Sequence, residues 1–112
     1  MRKDDRVRLQ HLLDAAREAV GFAQGSARAD LDSDRMLVLS LVKAIEIVGE
    51  AATRVSERMR AAHPEIPWHE IISARNRLIH GYDAVDYDIL WEIVTADFPP
   101  LATQTRNLLP ES

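Results

Sequence analysis

The sequence predicts an all-α fold, an up-and-down four-helix bundle with a short extra helix at its C-terminal end. Apolar residues recur at spacings of three and four, which is typical of amphipathic helices, and no window shows the sustained alternation of a half-buried strand. Breaks rich in glycine, aspartate or proline separate the helical segments. A chain of 112 residues is long enough for one domain around one core.

The first two helices follow from their boundary residues and apolar spacing. The first extends from about Asp5 to Ala23 and ends in a glycine-containing segment. Before the second helix, side-chain oxygens and negative charge for its free backbone N–H groups are offered by Asp30, Asp32, Ser33 and Asp34. The apolar seam of this helix runs from Leu37 to Met59 and stops before Pro64. We therefore expect this helix to be the longest, and to be central in the bundle or shared between two chains.

The second half of the chain predicts two further helices and a short last one. The third extends from about Trp68 to Ile79 and ends at Gly81, which can adopt the left-handed conformation common past a helix end. Asp83 and Asp86 precede the apolar positions of the fourth helix, as expected at a helix start. The pair Pro99–Pro100 kinks or ends that helix before the last short one.

Composition excludes several classes of function. The net charge is −4, from 14 basic and 18 acidic residues, so the whole chain has no general attraction for nucleic acids or anionic membranes. Cysteine is absent, which excludes disulfides, thiolate zinc sites and cysteine nucleophiles and favours the cytoplasm. No segment has the apolar length of a membrane span or a signal peptide. We expect a soluble cytoplasmic protein with no membrane partner.

Charge is nevertheless unevenly distributed along the chain. Residues 53–82 contain five arginines and three glutamates, a local balance of +2. Three of the four histidines also lie there, so this segment could form a basic strip that holds a phosphodiester backbone. The alternative is that its arginines form only the solvated face and last turn of the long helix.

Arg75 is the first candidate for chemistry. A helical wheel places it within an apolar stripe that includes Ile71 and Leu78. An unpaired charge on a buried face is costly to desolvate, and such conflicts often mark functional sites. The alternative is a structural arginine held by Glu46 or Glu50 of the central helix.

Asn76 and His80 are four residues apart and are predicted to share another helix face, with Ser73 nearby. Arg75 and His80 differ by about 140° on a regular helix. They converge only if the helix end unwinds near Gly81 or if two antiparallel copies of the helix meet in a symmetric dimer. A histidine at this position is also consistent with a simple helix cap.

The segment Arg75-Asn76-Arg77-Leu78-Ile79-His80 resembles the Arg-Asn-x-x-x-His signature of HEPN ribonucleases. Followed by Gly81-Tyr82, it resembles the HepT toxins in particular, which have an Arg-x4-His-x-Tyr arrangement. Residues 44–52 and 91–94 resemble the same family, so the resemblance covers nearly the whole chain. We interpret residues 1–112 as a single HEPN-like helical domain.

The resemblance implies a metal-independent endoribonuclease without a cofactor, the toxin of a type VII toxin–antitoxin pair, active as a homodimer on RNA. RNA supplies its own 2′-hydroxyl nucleophile, so His80 is expected to act as general base or acid. Arg75 would stabilise charge on the phosphoryl group, and Asn76 would orient the phosphate or the histidine. Four residues are expected to support this site or to contact substrate: Ser73, Arg77, Glu46 and Glu50.

Tyr82 at the end of an apolar stripe is by default a core residue. In HepT-like proteins, however, the tyrosine here accepts AMP from a minimal nucleotidyltransferase antitoxin, MntA. Added bulk and negative charge two residues from His80 would exclude RNA. Asp83 could bind that antitoxin, although capping the next helix is the preferred interpretation. An alternative function is a non-catalytic helical dimer that is the binding partner and substrate of a nucleotidyltransferase.

A metal site is not expected, because the chain has neither cysteine nor a His-x3-His pair. Glu46 and Glu50, one helical turn apart, could form a carboxylate pair for a metal. We prefer the interpretation in which one of them pairs with Arg75.

Overall fold

A computed structural model describes residues 1–80 and 84–110. The α-helices are α1 (Lys3–Ala23), α2 (Arg35–Arg54), α3 (Glu57–Ala62), α4 (Trp68–Leu78), α5 (Tyr87–Glu92) and α6 (Phe98–Leu108). A 3-10 helix at Arg28–Asp32 precedes α2, and a π-helical turn at Ile93–Asp97 joins α5 to α6. The predicted all-α bundle is confirmed: α2 packs against α1 and α4, and α6 packs against α1.

The core lies around α1, which packs against both α2 and α6. α1 contributes Leu9, Leu12 and Leu13, which are almost fully buried. α2 contributes Leu41 and Ile45, and removal of these side chains from water drives the helices together. Among the described helices, none combines the length and the apolarity needed to cross a membrane.

The predicted long helix over residues 37–59 is wrong at its C-terminal end. α2 stops at Arg54, Val55 is extended, and Ser56 starts the short helix α3. The reason is Asp5 of α1, whose carboxylate accepts hydrogen bonds from the Ser56 backbone N–H and hydroxyl, both at 2.7 Å. Continuation of α2 would use that N–H within the helix. The Ser56 hydroxyl oxygen instead accepts a hydrogen bond from the backbone N–H of Met59 at 3.1 Å and caps α3.

The third predicted helix, here α4, ends at Leu78, one residue before the predicted end at Ile79. The next residues form a two-residue strand, β1 (Ile79–His80), which pairs antiparallel with β2 (Ala84–Val85). The Asp86 backbone N–H also donates to the Leu78 carbonyl at 2.7 Å, which draws the chain back to the end of α4. A pairing of two residues is too short to give the sustained alternation by which a strand is recognised in a sequence. Gly81 and Asp83 lie outside the described residues.

The fourth predicted helix begins as expected after Asp86. The Asp86 carboxylate accepts hydrogen bonds from two backbone N–H groups of the first turn, at 3.0 and 3.1 Å. The pair Pro99–Pro100 does not end this helical segment, because it lies in the first turn of α6, where a missing N–H is tolerated. The chain therefore stays helical from residue 87 to 108 through the π-helical turn.

Gly49 lies at the closest approach of α2 to α4. A Cβ atom there would lie 3.2 Å from the Ile71 carbonyl oxygen and 3.5 Å from that of Ile72. A side chain of any size would push α4 away, since both contacts are backbone atoms of a helix. This glycine therefore sets the distance between the two helices that carry most of the candidate site residues.

We predict that Gly49→Ala and Gly21→Ala change stability differently. In a helix, alanine is favoured over glycine by about 1 kcal/mol. Gly21→Ala should gain part of this, because a Cβ at Gly21 meets no neighbouring described element within 4 Å. The free energy of unfolding of Gly49→Ala should be at least about 1 kcal/mol lower than that of Gly21→Ala, because the new methyl group crowds α4. Urea unfolding followed by circular dichroism measures both, and equal gains would contradict the close approach.

The contact between Asp5 and Ser56 predicts a pH dependence of stability. Burial opposes ionisation of Asp5, but the hydrogen bonds from Ser56 and the charge of Arg2 outweigh it and lower the pKa of Asp5 below its ordinary value of 3.8. A lowered pKa stabilises the fold above pH 3.8, and this stabilisation is lost as the pH falls through the lower value in the folded protein.

Asp5→Asn should therefore lower the free energy of unfolding at pH 7 by about 1–3 kcal/mol. The difference from the wild type should narrow as the pH falls below 3.8. Asp4→Asn is the control, because Asp4 is exposed in the same helical turn. Urea unfolding at pH 7 and at acidic pH measures the effect, and a difference that does not change with pH would disprove the ionic role of Asp5.

Candidate active site

The candidate site is an open cleft of about 510 Å³ between α1, α2 and α4. α4 contributes Arg75 and Asn76 to its wall. Its other charged and polar lining residues come from α1 and α2, and they are Arg8, His11, Lys43, Glu46, Glu50, Thr53 and Arg54. The volume is in the range of small-ligand sites, so the cleft can hold a short segment of an extended polymer.

Arg75 lies at the cleft surface and not within an apolar face. The buried stripe of α4 consists of Trp68, Ile71, Ala74 and Leu78, whereas the Arg75 side chain is 55% exposed. The predicted placement of Arg75 on a buried stripe is therefore wrong. The helical wheel gave the angular position of Arg75 around the helix axis. The side of α4 that faces the core is centred nearer to Ala74 than to Arg75.

Arg75 is held from α2 by Glu46. Its Nε–H donates to Glu46 Oε1 at 3.2 Å. The pair is too exposed to add more than roughly 1 kcal/mol of stability. Among the described residues no other hydrogen bond to the Arg75 side chain is found, so its two terminal amino groups remain available to an anion.

Glu50, the other predicted partner of Arg75, pairs instead with Arg54, whose Nε lies 2.9 Å from Glu50 Oε1. Each of the two glutamates thus accepts a hydrogen bond from an arginine. Across residues 1–80 and 84–110, no group of three potential metal-ligating side chains occurs. The alternative interpretation of Glu46 and Glu50 as a metal-binding pair gains no support from this arrangement.

Two of the predicted site residues do not line the cleft. The Ser73 hydroxyl donates to the His69 carbonyl of its own helix at 2.8 Å. Arg77 lies in a second groove, where its Nη2 is 3.8 Å from Asp97 Oδ2 in the π-helical turn. The cleft therefore combines Arg75 and Asn76 with Glu46 and Glu50, and leaves Ser73 and Arg77 aside.

His80 follows α4 in β1, with its backbone opposite Ala84. The predicted helix face shared by Asn76 and His80 is wrong, because α4 ends two residues earlier. The angle of about 140° between Arg75 and His80 on a regular helix therefore does not describe their relation. Tyr82, the predicted modification site, lies outside the described residues.

The positive charge of the site comes from three helices and not from one segment. The predicted strip over residues 53–82 is not continuous: Arg58 lies in a groove with Asp5, and Arg77 lies in the groove beside the π-helical turn. Within the part of the chain that the structure describes, the cleft instead contains four basic side chains and two glutamates. A chain with a net charge of −4 thus has a cleft with a formal charge of +2.

Among the cleft residues that were not identified from the sequence are three basic or titratable ones: Arg8, His11 and Lys43. Arg8 and His11 are three residues apart on α1, as are Lys43 and Glu46 on α2. This spacing indicates shared helix faces. It does not show which faces of different helices adjoin, so the sequence carried only part of the signal.

Comparisons with known proteins agree with the family suggested by the motif. A family model described as Ribonuclease HepT-like matches residues 12–108. A provisionally named RNase of Caldanaerobacter subterraneus subsp. tengcongensis is 33% identical over 107 residues, which cover 96% of each chain. A probable ribonuclease HepT of Thermococcus cleftensis is 32% identical over 108 residues, which cover 96% of this chain and 98% of that protein. No solved structure matches the chain significantly.

Proposed function

The chain belongs to the HepT-like ribonuclease family, and we propose that it is a metal-independent endoribonuclease that acts as the toxin of a toxin–antitoxin pair. One observation supports this most directly. Arg75 stands in a positively charged cleft, held by Glu46 and beside Asn76, on the helix that leads into His80. An arginine with free donors is suited to an anionic transition state, and a histidine is suited to proton transfer near neutral pH.

The proposed reaction uses the 2′-hydroxyl of RNA as nucleophile. His80 acts as general base and removes its proton, and the 2′-oxygen attacks the adjacent phosphorus. The bond from phosphorus to the 5′-oxygen then breaks, and a general acid protonates that oxygen. In a homodimer, His80 of the partner subunit supplies this proton. The products carry a 2′,3′-cyclic phosphate and a 5′-hydroxyl.

Arg75 stabilises the negative charge that develops on the phosphoryl oxygens. Its planar fork of donors suits two of those oxygens, while Glu46 holds the remaining Nε–H. Asn76, on the same wall of the cleft, orients the phosphate. Ser73 and Arg77 act within α4 and its contact with the π-helical turn, and not on RNA.

An exposed apolar face beside the cleft supports the proposed homodimer. Met36, Leu39 and Ile47 of α2 are 80%, 52% and 37% exposed, which is unusual for large apolar side chains. Their spacing places them on one side of the helix, and Ile47 also lines the cleft. A second copy of the chain that covered this face would lie beside Arg75, as a shared site requires.

We predict that the purified chain cleaves single-stranded RNA in the presence of EDTA. His80→Ala and Arg75→Ala should each reduce the cleavage rate by about 100-fold or more, because they remove the proton-transfer group and the charge-stabilising group. Arg17→Ala is the matched control, since Arg17 is exposed on α1 and does not line the cleft. Cleavage is measured on a labelled oligonucleotide, with thermal melting to confirm folding.

Cleavage that persists in His80→Ala would disprove the catalytic assignment. A folded wild-type chain that leaves RNA intact would disprove the nuclease function. It would instead favour the alternative of a non-catalytic helical partner of a nucleotidyltransferase.

We also propose that a nucleotidyltransferase antitoxin of the MntA type neutralises the chain by transfer of AMP to Tyr82. Co-expression with such an enzyme should increase the intact mass by one or more AMP units and abolish cleavage, because the adduct adds bulk and negative charge near His80. Tyr82→Phe should stay unmodified and active.

The other of the two tyrosines provides the control. Tyr87 lies with its ring centre 5.8 Å from the Arg28 guanidinium carbon. Tyr87→Phe should be modified and inactivated like the wild type. Modification that persists in Tyr82→Phe would place the acceptor elsewhere.

A further inference from the structure

The cleft contains more positive charge than the proposed chemistry requires. Of its four basic side chains, Arg75 pairs with Glu46 at 3.2 Å and Arg54 pairs with Glu50 at 2.9 Å. These two pairs account for both glutamates of the cleft.

Arg8 of α1 and Lys43 of α2 are the remaining cations. Neither forms an ion pair with any residue in the part of the chain that the structure describes, and Arg8 is half-buried. The excess charge of the cleft therefore resides on these two side chains. Like charges that line a concave surface reinforce each other's field and attract an anion into it.

The lining of the cleft indicates which kind of anion. Apart from His11, the lining side chains within residues 1–79 and 84–110 include no aromatic ring on which a base could stack. Arg8 and Lys43 can bind phosphate oxygens, which are the same in every nucleotide, so contacts through these two side chains do not distinguish bases. A run of phosphates along a single strand fits an open cleft with cations on several walls.

We propose that Arg8 and Lys43 form a phosphate-binding subsite, which holds the RNA backbone beside the phosphate that Arg75 engages. The inference rests on the proposed nuclease function and adds residues outside the family motif. It assigns RNA binding to the contact between α1 and α2 and predicts binding that is tolerant of sequence and sensitive to salt.

The subsite is tested by binding of a 2′-O-methyl RNA oligonucleotide, which lacks the nucleophile and is not cleaved. In fluorescence anisotropy, the double variant Arg8→Gln/Lys43→Gln should bind about 10-fold or more weakly at low salt, because each phosphate contact contributes to the salt dependence of affinity. The slope of log affinity against log salt should fall by about 0.7 for each cation removed, as for single strands. With cleavable RNA, the double variant should raise KM and leave kcat nearly unchanged.

Lys3→Gln/Arg17→Gln is the matched control, because it removes the same two charges from exposed positions of α1 outside the cleft. It should bind with nearly the wild-type salt slope, and thermal melting checks that both double variants fold. An equal loss of RNA affinity in the two double variants would show that only the net charge of the chain matters, and would overturn the subsite. Competition by AMP or ATP that depends on Arg8 and Lys43, without loss of RNA binding in the variant, would overturn RNA as the ligand.

The outcomes separate this inference from the proposed function. Cleavage by the wild type together with unchanged binding and KM in Arg8→Gln/Lys43→Gln would overturn the subsite alone. Salt-dependent binding through these residues without any cleavage would overturn the nuclease function and leave the subsite standing.

Discussion

The arrangement of this protein depends on the contact of two helix backbones at Gly49. Because no side chain stands between them, the Ile71 carbonyl of α4 lies in contact distance of α2. At that distance Glu46, one turn before the glycine, reaches Arg75, one turn after the carbonyl. A wider spacing would separate this pair and open the cleft. The position of the candidate catalytic arginine is thus a consequence of a packing distance in the helix bundle.

A second constraint comes from charge. The chain carries an excess of acidic residues, yet the cleft contains more basic than acidic side chains. Its two glutamates each lie against an arginine, so they position cations as well as reduce the net charge. The acidic surface elsewhere limits non-specific attachment to nucleic acids, while the cleft retains a local attraction for phosphate. An acidic protein is thereby compatible with an RNA substrate.

Features that depend on residues close together in the chain, such as helix starts, could be predicted from the sequence. Asp34 and Asp86 cap the helices that they precede, because a capping carboxylate binds backbone groups two or three residues away. The end of α2 was not predictable in this way, because Asp5, which takes the Ser56 N–H, is 51 residues away. The prediction that Arg75 lies on a buried face was wrong for a related reason. A helical wheel orders side chains around the helix axis but does not show where the neighbouring helix lies. Arg8 and Lys43 share a cleft only through the packing of α1 on α2.

The exposed pair of Glu46 and Arg75 has a further consequence, for the entropy of substrate binding. A free arginine side chain loses up to about 2 kcal/mol of rotamer entropy when it becomes fixed. The carboxylate on Nε restricts those rotamers before any phosphate arrives, and the bond leaves the terminal donors of the fork unused. Part of the ordering is therefore already complete in the unliganded chain. In the proposed reaction, a contact that adds little to folding stability would thus lower the entropic cost of engaging the transition state.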